Sequence, residues 1–321
     1  MKRIQVYDIL EKRHELLKNI RTFFFNRGYI EVETANLMKT PPPDPNIDPL
    51  EVFIGDKGPF YLHTSPEMGM KKLLPAGHKR IFQICKVYRT EEFDEIHSTE
   101  FTMLEWYREG TYVEAIKETN DLISYVAAGL PAEGNQSYRK GFAIYELEKL
   151  FTEKTGINPF GLARDELFEA MRAKGFSGIN DGDDLSSLFF KLFIQEIEPA
   201  MPKELPYFIT GWPTLISTMA KVKDENSSQV ERFELYMRGL EIANGYTELL
   251  DPAIQMKRFA DDNSQRKKLG KVTFGVDDEF LFSLGELTGS YAGVSVGVDR
   301  LLMVLLEKDF INEVIPGRVI R

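Results

Sequence analysis

Two runs of residues constrain the fold of this chain more than any others: RIFQICKVYR (Arg80–Arg89) and EFTMLEWYR (Glu100–Arg108). Both are rich in aliphatic and aromatic residues, and a polar loop joins them, so they read as an antiparallel pair of long strands. In the first, both alternating faces carry apolar groups, Phe82, Ile84 and Tyr88 on one and Ile81, Cys85 and Val87 on the other. That predicts a central strand covered on both sides. In the second, period-2 alternation puts Phe101, Met103, Glu105 and Tyr107 on one face. A carboxylate between aromatic neighbours is costly to bury unless something positive meets it. A strand edge in water, or a structural pair with an arginine, is the other reading of Glu105.

The remaining segments supply helices for such a sheet. Glu11–Arg27 reads as an amphipathic helix, with Leu16, Ile20 and Phe24 at four-residue spacing and Gly28 as its stop. Tyr29–Glu33 alternates like a strand, and Pro41–Pro49 (PPPDPNIDP) must be a loop because its prolines cannot donate to a ladder. Pro59–His63 is a further strand, and Thr64-Ser65-Pro66-Glu67 opens a helix that runs through Leu74. Helices are expected at Tyr112–Ala128, Asp165–Lys174 and Asp184–Ile197, and one starts at Asp251-Pro252. A strand at Tyr207–Thr210, a hairpin around Arg238-Gly239, a strand through Tyr291–Val296 and an apolar helix at Leu301–Leu306 complete the pattern. Strands joined by short turns make this an α+β fold, an antiparallel sheet flanked by helices, and no linker divides residues 1–321, so one domain is expected.

Composition narrows the function classes. Lys+Arg 40 against Asp+Glu 50 gives a net charge of -10, which counts against broad electrostatic nucleic-acid binding. The single cysteine excludes a disulfide framework, and the four histidines show no metal-ligand spacing. The N-terminus lacks the apolar run of a signal peptide, and no stretch is long enough to span a bilayer, so a reducing cytoplasm is the expected compartment.

Polar residues gather where strands end. Arg89-Thr90-Glu91 closes the first long strand; a guanidinium there suits phosphate recognition and Phe101 can stack on a base, although a charged hairpin tip has the same composition. Glu234 and Glu241 lie on the two arms of the Arg238-Gly239 turn, within about one register step of each other. They repel unless one is protonated, a divalent cation bridges them or both face solvent, and Mg²⁺ holding substrate phosphates is the usual bridging ion. Asn244 and Glu248 follow, four residues apart. In GVSVGVDR (Gly293–Arg300) the glycines allow close backbone approach, and Arg300 adds its charge to a helix N-terminus as an anion site. Together these groups suit a nucleoside triphosphate beside a cationic substrate.

In order along the chain, these segments resemble the catalytic domain of class II aminoacyl-tRNA synthetases, specifically the lysine branch. Tyr88–Arg108 is similar to motif 2, Gly293–Arg300 to motif 3, and RGYIEVETANL (Arg27–Leu37) to motif 1, the dimer-forming element. HTSPEMGMKKLL (His63–Leu74) and FELYMRGLEIANGYTELLDP (Phe233–Pro252) match lysine-branch segments between them. Lysyl-tRNA synthetases carry an N-terminal OB-fold that reads the anticodon, whereas here the catalytic segments begin near residue 1. The resemblance therefore implies a chain with no anticodon-binding domain, similar to the elongation factor P–lysine ligase family. That family activates (R)-β-lysine with ATP and transfers it to a lysine side chain of elongation factor P. It implies ATP and Mg²⁺, (R)-β-lysine or lysine as substrate, elongation factor P as acceptor in place of tRNA, a homodimer and no membrane.

The resemblance also implies roles. Arg89 would hold the α-phosphate, Glu91 the adenine amino group, Phe101 the adenine face, and His97 and Arg300 the distal phosphates, with Thr90, Ser98, Ile242 and Gly297 completing the ATP site. Glu234 and Glu241 would ligate Mg²⁺. Glu105, Tyr107 and Glu248 would bind the substrate's side-chain ammonium, and Glu67 and Asn244 would face its backbone end, with Ser65, Pro66 and Ser295 in the same pocket. Four positions depart from the family pattern: Ala35 replaces a proline in motif 1, Ser98-Thr99 replaces Asn-Pro in the motif 2 loop, Gly69 replaces a larger residue, and Ser295 replaces glycine or alanine. A side chain at Ser295 reshapes the pocket near the α-carbon and favours an amine shifted by one carbon, by about 1–3 kcal/mol. Two other readings remain: activation of L-lysine for a different acceptor, and a silent paralogue acting as a binding module. The acceptor amine must lose a proton before it attacks, and the sequence names no base for that step.

Overall fold

In a computed structural model, which describes residues 3–90, 94–130, 138–139, 141–216, 219–224 and 227–315, the long strands pair as their alternation requires. The chain opens with helix α1 (Arg3–Phe25), strands β1 (Ile30–Glu31), β2 (Leu37–Met38), β3 (Leu50–Ile54) and β4 (Lys57–Leu62), and helix α2 (Glu67–Lys71). The long pair β5 (Arg80–Tyr88) and β6 (Glu100–Glu109), helix α3 (Tyr112–Gly129), strand β7 (Ala143–Glu146) and helices α4 (Leu147–Thr155) and α5 (Arg164–Ala173) follow. Then come α6 (Leu185–Leu192), α7 (Glu198–Ala200) and β8 (Tyr207–Thr210). The chain continues through β9 (Arg232–Met237), β10 (Leu240–Thr247), α8 (Pro252–Lys268), α9 (Asp278–Gly285), β11 (Tyr291–Gly297) and α10 (Val298–Leu305).

Eight strands form one sheet in the order β1-β5-β6-β11-β10-β9-β8-β7, antiparallel except for the β1–β5 and β7–β8 pairs at its two edges. Strands β2, β4 and β3 make a small separate sheet. One face of the large sheet is sealed by α1, α3 and α10: Leu16, Ile20 and Phe24, Leu122 and Val126, and Leu301, Leu302 and Leu305 pack on Phe82, Trp106, Val294 and Leu235. The other face is covered only at its ends. A second core of α4, α5 and α6 packs on Tyr207, Ile209 and Tyr236, and α2 covers Ile81 and Tyr107 at the opposite end. The middle of that face is left open, and there the cavity lies. Among the described residues no helix is long and apolar enough to cross a membrane.

Four elements differ from the sequence expectation for identifiable reasons. Helix α1 starts at Arg3 rather than Glu11, because buried Ile9 lies seven residues before Leu16 and extends the same stripe. Strand β5 is next to the sheet edge rather than central; its two apolar faces are covered by α1 (Phe24 stacks on Phe82 at 4.7 Å) and by Met70 and Leu74. Helix α2 stops at Lys71 instead of Leu74, and the chain resumes as a 3₁₀ turn over Leu74–Ala76, where Pro75 disfavours a continued α-helix. The helix expected at Asp184–Ile197 is α6 followed by a π-helical turn, Phe193–Ile197. The Arg238-Gly239 hairpin forms as expected, with φ of 51° and 75° at those residues, the twist a two-residue turn needs.

Candidate active site

Cross-strand register builds the site. Directly opposed residues share a face, and one row across five strands reads Gln83 (β5), Glu105 (β6), Ser295 (β11), Asn244 (β10) and Glu234 (β9). The adjacent row reads Tyr107, Gly293, Tyr246 and Arg232. A run of polar side chains on a sheet face is the opposite of what a core requires, and these two rows floor a cavity of about 560 Å³.

At one end the floor is anionic. Glu105 is 3 % exposed; it accepts hydrogen bonds from Ser65 Oγ at 2.7 Å and the Tyr107 hydroxyl at 2.5 Å. Burial, then the charge of Glu67, pushes its carboxyl up to about 7. Glu67 Oε1 accepts from Lys71 Nζ and from the Tyr246 hydroxyl, both at 2.5 Å. Lys71 is itself fully buried and also ion-paired to Glu248. Burial pulls the Lys71 pKa down, but Glu248 and Glu67 outweigh it and keep the ammonium protonated. Two carboxylates, Glu67 and Glu248, thus share one lysine, and Glu105 stands beside them. Glu248 Oε1 finds no hydrogen-bond partner among the described residues, nor does Asn244 Oδ1. Between Glu248 and Tyr107 lies Gly293, where a Cβ would stand 2.4 Å from Glu248 Oε1 and 2.5 Å from Tyr107 Cε1. Gly293 thus lets Glu248 and Tyr107 close on the backbone, and the buried, unpaired Glu248 Oε1 there suits an ammonium group.

The other end is cationic. Arg89, just past β5, lies over the Phe101 ring at 5.3 Å and donates to the Thr64 carbonyl at 3.3 Å. Arg300 in α10 donates to the carbonyls of Glu241 (3.1 Å) and Ile96 (3.3 Å), bridging the β9–β10 hairpin to the loop before β6. His97 and Ser98 of that loop, with Ile242 and Gly297, also line the cavity. Asp94 holds the His97 ring at 2.8 Å. Behind Arg300, Asp299 accepts from Arg13 of α1 at 2.5 Å and from the Thr102 N–H at 2.6 Å. Two guanidiniums beside an aromatic face can take a nucleotide's phosphates and base.

Glu234 and Glu241 both line the cavity between these ends. Glu234 faces Asn244 across the ladder and Glu241 faces Tyr236, with a bulge between Glu241 and Ala243, so Glu241 lies opposite a position two residues from Glu234, the next one on the same face of β9. Glu234 is buried and accepts from Arg232 at 2.5 Å and Tyr236 at 2.7 Å, yet burial and the charge of Glu241 push it up to about 7. A divalent cation would relieve that repulsion. Among the described residues no group of three or more acidic, histidine or cysteine side chains is placed to hold a metal ion by itself, and two carboxylates plus phosphates are what Mg²⁺ ordinarily takes. The pair therefore fits Mg²⁺.

Not every expected residue reaches the wall. Thr90 turns away: its N–H and hydroxyl bond the Asp48 carbonyl at 3.1 and 3.2 Å, anchoring the proline-rich loop rather than lining the cavity. Pro66 sits outside the wall at the start of α2, and Glu248 stands behind it, reaching toward the cavity only past Gly293. Glu91 lies outside the described residues. The departure at Gly69 has a steric cause, since a Cβ there would meet the Thr34 side chain at 2.9 Å. Sequence reasoning missed Lys71, Tyr246, Tyr236, Arg232 and Asp44. Lys71 was findable as the i+4 partner of Glu67, and Tyr246 as the residue alternating with Asn244 and Glu248.

Comparison with known proteins gives the family. Residues 1–316 match the family model of tRNA synthetases class II (D, K and N). The chain is 38% identical over 316 residues to a Haemophilus influenzae protein named elongation factor P–(R)-β-lysine ligase, covering 97% of this chain and 94% of that one. Proteins of the same name from Avibacterium paragallinarum (39% over 315 residues, 95% and 94% covered) and Erwinia tasmaniensis (35% over 319 residues, 97% and 95% covered) are similarly related.

Proposed function

Because the chain belongs to the class II tRNA synthetases of the D, K and N group, with elongation factor P–(R)-β-lysine ligases among its relatives, we propose that it activates (R)-β-lysine with ATP and transfers it to a lysine side chain of elongation factor P. The observation that carries the choice of a cationic substrate is the unpartnered, buried Glu248 Oε1 beside Gly293, close to Glu105 and Glu67, with Lys71 pairing with Glu67 and Glu248. An aspartate or asparagine enzyme would need a cation at that point. Ser295, between Glu105 and Asn244 in the row, donates to the Asn244 carbonyl at 3.3 Å and fills space near the substrate's α-carbon, which favours the β-amino isomer.

In the reaction, Glu105, Tyr107 and Glu248 seat the side-chain ammonium while Glu67 and Asn244 orient the reacting end. Arg89 draws in the α-phosphate, Phe101 takes the adenine face, and His97 and Arg300 hold the distal phosphates. The substrate carboxylate then attacks the α-phosphorus in line and pyrophosphate leaves, a step dominated by positioning and charge stabilisation. Mg²⁺ at Glu234 and Glu241 would neutralise phosphate charge. The continuous eight-stranded sheet supports one catalytic unit over residues 1–321, and the motif 1 segment Arg27–Leu37 supports a homodimer. The bacterial relatives support a cytoplasmic enzyme with a protein acceptor in place of tRNA. ATP–pyrophosphate exchange with (R)-β-lysine, L-lysine and L-aspartate tests the reading. Exchange strongest with (R)-β-lysine is expected; strongest exchange with L-lysine would shift the reading to an α-lysine enzyme, and none with any would leave a silent paralogue.

A further inference from the structure

Transfer to a lysine side chain requires a group that takes a proton from the incoming ammonium. The carboxylates of the sheet floor are already engaged: Glu105 by Ser65 and Tyr107, Glu67 by Lys71 and Tyr246, and Glu234 by Arg232 and Tyr236. Glu241 is set beside Glu234 as the second Mg²⁺ carboxylate, and Asp299 is held by Arg13 and the Thr102 N–H; Asp44 also borders the cavity, and it comes from a loop. Asp44 stands in the proline-rich segment Pro41–Pro49, which also contributes Asn46 and Ile47 to the wall.

That segment is clamped from two sides. Arg266, buried in α8, donates to the carbonyls of Asp44 at 2.6 Å and Ile47 at 3.2 Å and to the Asp48 carboxylate at 2.5 Å. Lys271 donates to the Pro45 carbonyl at 2.9 Å, and Thr90 fastens Asp48 to the end of β5. Five prolines in Pro41–Pro49 restrict the backbone of the clamped segment. The Asn46 N–H donates to Asp44 Oδ1 at 2.7 Å, setting the carboxylate's orientation. Arg89 and Arg232, both in the cavity wall, lie close enough to act on it. Asp44 is thus held at the phosphate end, where the mixed anhydride of an adenylate would lie. Burial outweighs the arginines and raises its carboxyl above the ordinary aspartate range, the direction a proton acceptor needs.

We propose that Asp44 receives the ammonium of the acceptor lysine and takes its proton as the amine attacks the adenylate. The amine nitrogen bonds the carbonyl carbon, the bond from that carbon to the phosphate oxygen breaks, AMP leaves with the electron pair, and the proton ends on Asp44. This rests on the aminoacyl-transfer reading above. The test preloads the full-length enzyme with ATP and (R)-β-lysine, removes pyrophosphate, and chases the adenylate with either elongation factor P or hydroxylamine, which is largely unprotonated at neutral pH. In Asp44→Asn, transfer to elongation factor P is expected to fall about 100-fold or more relative to hydroxylamine capture. Asp44→Glu should recover part of the loss, and hydroxylamine capture reports that the site is still folded. Equal loss in both chases would overturn the proposal, because Asp44 would then act on the adenylate through Arg89 or the loop. A normal rate of transfer by Asp44→Asn would overturn it as well. Wild-type enzyme that yields hydroxamate but modifies no elongation factor P would instead sink the parent reading, and the proposal with it.

Discussion

Gly293 gives the sharpest prediction. In Gly293→Ala the new methyl would stand 2.4 Å from Glu248 Oε1 and 2.5 Å from Tyr107 Cε1, whereas ordinary contact begins at 3.4 Å, so each group must retreat by about 1 Å. Neither is free to move, since Tyr107 is bonded to Glu105 and Glu248 is paired to Lys71 in a buried cluster. Overpacking of this kind costs about 1–3 kcal/mol of stability. Misplacing substrate-seating groups by about 1 Å lowers the rate by about 100-fold, near 2.7 kcal/mol of transition-state stabilisation. The assay is pyrophosphate exchange at varied (R)-β-lysine and varied ATP, with urea denaturation alongside. The expected result is a fall of about 100-fold in kcat/KM for the amino acid with the KM for ATP changed less than about threefold, because the methyl touches only the anionic end. An unchanged KM and kcat for the amino acid in a destabilised protein would refute the placement of the ammonium beside Glu248.

Three further outcomes follow from the same geometry. Because the Glu105 carboxyl is raised to about 7 in the substrate-free site, it is neutral below that pH and must lose its proton to pair with an ammonium. Burial raises Glu248, in the same seat, to about 8, so the kcat/KM for the amino acid should climb with pH through about 7 to 8 before levelling; Glu105→Gln should remove the lower part of that rise and lower the plateau by about 30-fold or more, measured in exchange assays at fixed ionic strength. Ser295→Gly should shift preference toward L-lysine by about 10-fold, measured as the ratio of exchange rates for the two isomers; an unchanged ratio would remove Ser295 from the specificity argument. Arg300→Ala should abolish adenylate formation while leaving the protein folded by circular dichroism, and exchange at the wild-type rate would overturn the phosphate role given to motif 3.

The fold was legible wherever periodicity matched burial. Leu16, Ile20 and Phe24 predicted α1, and the alternation of Phe101, Met103, Glu105 and Tyr107 placed Glu105 on the correct face. The Arg238-Gly239 turn likewise located the Glu234 and Glu241 pair, because a two-residue turn fixes hairpin register. What the sequence hid depended on contacts distant along the chain. Nothing local in PPPDPNIDP reveals that Arg266, more than two hundred residues later, would aim Asp44 at the cavity. The apolar faces of β5 misplaced it as central, since a helix covering a strand next to the edge leaves the same pattern as a layer over mid-sheet. Thr90 shares a tripeptide with Arg89, yet past the end of β5 its N–H and hydroxyl bond the Asp48 carbonyl, and it serves the loop instead. Lys71 carries no local sign of burial in the sequence; the carboxylates of Glu67 and Glu248 on both sides make its position tolerable.

The most direct test of the account is intact-mass analysis of elongation factor P after incubation with the enzyme, ATP, Mg²⁺ and (R)-β-lysine, with peptide mapping of the product. The account predicts one β-lysyl residue added through an amide to a single lysine side chain, with little addition when L-lysine replaces the β-isomer. Robust pyrophosphate exchange with elongation factor P left at its unmodified mass, or the amino acid recovered on tRNA instead, would contradict it.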